Sequence, residues 1–196
     1  MENRTWGPER PVFTMEVPAS YPVFNSIRNN PTIGDERSFL KIGEIKPKTE
    51  LGNSVMVSAG KQYLVYIYIH NNASSAFNDS EHKNVGVALR TRVSVIFPHT
   101  VSSAETELIK ARITADNSDP TSVWASVSLS TMADNLQLRY VDGSAKIYND
   151  WKTNGKVLPK SLFTDGGTLI GLNELNGVMP GCEEYHCVIC FVLQAE

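Results

Sequence analysis

No stretch of the 196-residue chain stays apolar for the ~18 residues a membrane-crossing helix needs, so no transmembrane segment is expected. Positive charge is neither abundant nor clustered: 18 Lys and Arg stand against 21 Asp and Glu, a net charge of -3. Phosphate binding needs grouped cations, so no nucleic-acid partner is expected. The densest basic spot, Arg90-Thr91-Arg92, lies in a strand-like run and reads as a solvated strand face. Catalytic signatures are missing too. There is no G-x-S-x-G elbow, no Gly-rich phosphate loop before a helix, and no H-E-x-x-H among His70, His82, His99 and His186. Without a visible nucleophile, base and oxyanion donor, an enzyme is not expected. Cysteine is confined to the C-terminal end, at Cys182, Cys187 and Cys190. An odd count excludes complete internal pairing, although the spacing admits a Cys182–Cys187 disulfide. Cys182, His186, Cys187 and Cys190 have the atoms of a zinc set. A strand over 186–194, however, turns Cys187 and Cys190 to opposite faces, so no zinc site is expected.

What is present has a period of two. Residues 63–70 are apolar on both faces and rich in Tyr, Ile and Val, as a central strand is. Over 85–97, Val85, Val87, Leu89, Val93, Val95 and Phe97 share one parity, which predicts one long half-buried strand. Similar alternation runs through 106–114, 123–129 and 136–140, and Asp142-Gly143 reads as a hairpin turn into Ala145 and Ile147. Residues 186–194 read as a second central strand, and 169–175 as one short helix or 3-10 turn. No segment keeps a 3.6-residue period. The fold expected is all-β: one antiparallel sandwich, Ig-like or jelly-roll, over residues 25–196. Its predicted core is Val65, Ile67, Val87, Leu89, Val93, Val95, Val127, Leu129, Leu138, Ile189 and Phe191. Residues 1–24 carry Pro8, Pro11, Pro18 and Pro22 and read as an extended arm, because proline breaks helices and cannot donate to a central ladder. The start of the arm is polar and shows no apolar leader.

Candidate functional residues fall into a few groups. Trp6, Phe13 and Phe24 are apolar anchors by which the arm would dock on a sheet of its own subunit or of a neighbour. Trp124 and Trp151 are candidate stacking surfaces for a carbohydrate or other ligand, if they stand exposed beside polar loops; an edge or the arm is the ordinary cover for a lone aromatic. Asn78-Asp79-Ser80-Glu81 and Asp116-Asn117-Ser118-Asp119 have oxygens suited to calcium but lack the EF-hand pattern, so polar turns are expected. No other cofactor is indicated. His70 closes a strand beside Asn71-Asn72 and reads as a hydrogen-bonded strand-end histidine. The adjacent acids Asp35-Glu36 and Glu183-Glu184 read as solvated turn residues. Asn3-Arg4-Thr5, Asn72-Ala73-Ser74 and Asn78-Asp79-Ser80 match the glycosylation pattern.

The strings Trp6-Gly7-Pro8-Glu9-Arg10-Pro11, Phe24-Asn25-Ser26-Ile27, Asn29-Asn30-Pro31 and Gly34-Asp35-Glu36-Arg37-Ser38-Phe39 are followed by Tyr68-Ile69-His70-Asn71-Asn72-Ala73, Tyr140-Val141-Asp142-Gly143-Ser144-Ala145, Gly171-Leu172-Asn173 and Pro180-Gly181-Cys182. Together they resemble an uncharacterised family of bacterial extracellular or cell-surface β-domains. The resemblance implies a secreted or surface-tethered location and no particular activity. Cys187 and Cys190 depart from that pattern. The expected function is a non-catalytic structural module that assembles with itself or other surface proteins through its arm. The alternative is a carbohydrate- or ligand-binding, adhesin-like module.

Overall fold

The protein is described here by a computed structural model covering residues 5–196, apart from the side chain of Glu183. The described chain is 38% strand and 6% helical, in two packed antiparallel sheets: an all-β sandwich. One sheet holds β1 (Trp6–Gly7), β3 (Ser54–Met56), β5 (Arg92–Ile96), β7 (Glu107–Thr114), β8 (Ser122–Ser130) and β11 (Thr168–Leu169). Its order is β1-β8-β7-β5-β11, with β3 added to β8 as the parallel pair of the sheet. The other holds β2 (Leu40–Glu44), β4 (Gln62–Ile69), β6 (Thr100–Val101), β9 (Leu136–Tyr140), β10 (Lys146–Tyr148) and β12 (Cys187–Ala195). Its order is β2-β4-β12-β9-β6, and β10 also pairs with β12.

Alternation decides the core. On β12, every second residue from Cys187 through Ile189, Phe191 and Leu193 is buried, and β4 presents Tyr63, Val65, Ile67 and Ile69 inward. Facing them are Val93 and Val95, Ile109 and Ile113, and Val123, Val127 and Leu129. Leu89 is the exception to the predicted core: it is 47% exposed. The long strand expected over 85–97 begins at Arg92. Upstream, Ala88 makes an isolated bridge to Met179, and Arg90 sits in the left-handed region at φ 53°, which ends the alternation.

The Asp142-Gly143 turn is also not a hairpin. β9 and β10 both pair with the same side of β12, through Leu193↔Tyr140 and Ile189↔Ile147, so the turn is a loop thrown out of one edge line. Turn chemistry was legible there, but partner choice is set by β12, which offers a full-length central ladder. The segment expected as a short helix over 169–175 begins instead as β11 and continues in turns.

The described part of the arm docks on its own sandwich. β1 adds to β8, with Trp6 opposite Ala125 and Gly7 opposite Trp124. Gly7 lies flat against the indole of Trp124: a Cβ there would fall 2.8 Å from the ring. Arg37 lies over the Trp6 ring at 4.1 Å. Arg10 clamps the arm by donating to Ser26 Oγ at 3.0 Å and to the Asn25 carbonyl at 2.7 Å. Phe24 is fully buried, whereas Phe13 is half-buried, edge-on to Tyr21. Residues 1–4 lie outside the described residues, and with them most of the Asn3 glycosylation pattern.

Candidate functional site

The end of the sandwich beyond β4 is built around a buried polar cluster. The backbone at 23–25 pairs with 70–72, through Asn25 N to the His70 carbonyl at 3.0 Å and Asn72 N to the Val23 carbonyl at 2.8 Å. Asp35 caps the 3-10 turn Glu36–Ser38 by accepting from Arg37 N, and this delivers Glu36 to the end of β4. Burial pushes the Asp35 carboxyl up, but hydrogen bonds and charge from Arg37 outweigh it and hold its pKa below the ordinary value. Glu36 is therefore not the solvated turn acid expected from the sequence: it is 0% exposed. Its Oε1 accepts from Asn30 Nδ2 at 2.7 Å and its Oε2 from Asn72 Nδ2 at 2.8 Å.

His70 Nδ1 lies 2.8 Å from Glu36 Oε1 and 2.8 Å from Asn72 Nδ2. A bare ring nitrogen against a carboxyl oxygen would set two acceptors together. Nδ1 therefore carries the hydrogen and donates to Glu36. The strand-end histidine is thus hydrogen-bonded, as its position predicted. Asn72 Oδ1 accepts from Ser26 N, and Asn30 Nδ2 also donates to the Tyr68 hydroxyl at 3.0 Å. Asn72 is fully buried, so its glycosylation pattern is closed in the folded chain.

Two cavities open at this end, separated by the segment 180–185. The larger, about 360 Å³, lies over His70 and Asn72, with Met15, Pro18 and Ile27 of the N-terminal region on one wall and Cys182 on the other. The smaller, about 110 Å³, is lined by Trp151, Tyr185, Asn173, Asn176 and Pro180. The segment between them is held firmly. Asn78 donates to the Gly181 carbonyl at 2.7 Å and accepts from Gly181 N at 2.9 Å, and Cys182 N donates to the Asn71 carbonyl at 3.1 Å. Gly181 is required by close approach, since a Cβ would sit 2.4 Å from the Ala73 carbonyl oxygen.

The predicted platform residues do not meet. Trp124 lies on β8 between Gly7 and the Lys110 ammonium, which is 4.1 Å from its ring, so the arm and a lysine cover it. Trp151 is 37% exposed and stacks on Tyr185, with ring centroids 5.3 Å apart and planes at 29°. The Trp6, Phe13 and Phe24 anchors are taken up by their own sandwich, away from Trp151.

All three thiols are free, so the Cys182–Cys187 bridge admitted by spacing is not made. Cys187 points into the core from β12, while Cys182 stands on the loop beside the larger cavity. β12 also turns Cys187 and Cys190 to opposite faces. Burial pushes the Cys187 thiol far up and the Cys190 thiol to about 11. Since the thiolate is the nucleophile, iodoacetamide at about pH 8 is expected to alkylate Cys182 and spare the other two until the chain unfolds. Native-state modification of Cys187 at the rate of Cys182, read by mass spectrometry of digests, would contradict this placement.

The oxygen-rich loops are spent on the protein itself. Asp79 Oδ1 accepts from His82 N at 2.9 Å, and Asn117 accepts from Leu89 N and donates to the Val87 carbonyl. Asp116 pairs with Arg90 at 3.3 Å. No group of three or more His, Cys, Asp or Glu is placed to hold a metal ion among the described residues. Nor is any helix among them long and apolar enough to cross a membrane. Sequence reasoning missed Glu36, Asn30 and Tyr185. The available signal was the density of amides around His70, because buried amides require partners. No protein-family model, curated protein or solved structure matches the chain.

Proposed function

We propose that this protein is a binding module, not an enzyme, and that it takes a small ligand at the end of the sandwich where residues 180–185 run between two cavities. The observation that carries this reading is the rigid floor under that segment: Glu36, His70 and Asn72 lock one another and Asn78 clamps Gly181. A site held this way loses little freedom when a ligand arrives, which is how preorganisation raises affinity. The smaller cavity offers the Trp151 and Tyr185 rings with the Asn173 and Asn176 amides, and the larger mixes apolar Met15, Pro18 and Ile27 with Glu16, Ser74 and Ser75, so stacking, apolar contact and hydrogen bonds are all on offer to a ligand. The resemblance of the sequence strings to bacterial surface domains supports a place outside the cell. Self-assembly through the arm has less support, because β1, Arg10 and Phe24 are engaged within one chain.

Protein-observed NMR with a fragment library of polyols, amines, carboxylates and aromatic compounds tests the reading without assuming a ligand class. Hits are expected to shift the amides of 180–186 and the Trp151 indole. Hits that shift only β1 and β8, or none at the loop end, would overturn it.

A further inference from the structure

We propose that the outer face of Trp151, backed on its other side by the stacked Tyr185 ring, is a platform on which one ring of a neutral carbohydrate stacks, an inference that rests on the loop end being the binding site. Both rings are held in place. The Trp151 Nε1–H donates to the Glu184 carbonyl at 3.2 Å, and the Tyr185 ring stacks on the indole with centroids 5.3 Å apart. What Trp151 offers a ligand is therefore aromatic surface without its indole N–H. Beside it stand Asn173 and Asn176; the Asn176 Oδ1 accepts from Val178 N at 3.0 Å, which fixes the amide plane and leaves its N–H groups for a partner. Among the described residues none that lines this cavity is charged. An ionic ligand would be desolvated there with no counter-charge, which is costly.

A pyranose matches what is offered. It has an apolar C–H face for the aromatic surface and hydroxyls that both donate and accept toward the amides. The cavity beside the platform, about 110 Å³, has no room for a folded segment. A proline-rich peptide also stacks on aromatic grooves, but a run of prolines offers carbonyl acceptors and no backbone donors, whereas sugar hydroxyls meet both the N–H and the carbonyl groups of amides.

The test is a titration of the whole chain with neutral oligosaccharides of glucose, mannose, galactose and N-acetylglucosamine, followed by Trp fluorescence and amide NMR shifts. At least one is expected to bind and to shift Trp151 and Tyr185. Trp151→Ala should weaken it about tenfold or more, equivalent to ~1.4 kcal/mol. Trp151→Phe should retain part of the affinity, because a flat face remains, and Trp124→Ala should leave it unchanged. If a proline-rich peptide or a charged fragment shifts the platform and no sugar does, the carbohydrate class is wrong while the binding site stands. If nothing shifts 180–186, the site itself is wrong. Equal sugar affinity in Trp151→Ala would remove the platform.

Discussion

Glu36→Ala is expected to be among the most damaging single substitutions in the protein. The carboxyl is 0% exposed and takes hydrogen bonds from Asn30, Asn72 and His70. Each buried donor left without an acceptor costs roughly 1–3 kcal/mol, so three such donors put the loss at about 3–5 kcal/mol even when the site partly relaxes. In a domain of this size that lowers Tm by roughly 6–20 °C, at about 2–4 °C per kcal/mol. Glu36→Gln keeps one acceptor oxygen and the side-chain shape, so its loss should be clearly smaller. Thermal unfolding followed by circular dichroism measures both. An Ala variant melting within a degree or two of the parent would show that the cluster does not hold this end of the sandwich.

Phe24→Ala is expected to be comparably severe, at about 3–5 kcal/mol for a fully buried phenylalanine. Phe24 is 1% exposed and bridges Asn71, so its ring belongs to the core although its residue lies in the arm. Phe13, half-buried against Tyr21, should cost less than half as much on the same scale. Because the described arm docks within one chain, neither substitution should change the native mass. A parent protein that runs as an oligomer and a Phe24→Ala variant that runs as a monomer would instead place the anchor in a neighbouring subunit.

Period-two alternation was enough to read a β-sandwich, because strand parity is a local property that burial enforces residue by residue. The same logic separated Cys187 from Cys190 and marked His70 as a hydrogen-bonded strand end. It failed at Leu89, where a single left-handed residue, Arg90, breaks the register, and at Asp142-Gly143, where a competent turn joins strands that both prefer β12. No local pattern announces that a strand's best partner lies some fifty residues on.

The candidate site was legible only in pieces. Trp151 was visible as a loop aromatic, and the Asn-rich strings flanking β4 were visible as a composition. Glu36 looked like any turn acid, since its neighbour Asp35 remains partly solvated and paired with Arg37. The sequence by itself determined the sandwich and the inventory of polar groups. Tertiary structure alone decided that Glu36 crosses to His70, that Trp124 is covered and that Trp151 meets Tyr185. Burial and hydrogen-bond satisfaction are settled between segments far apart in the chain, where a local period carries no information.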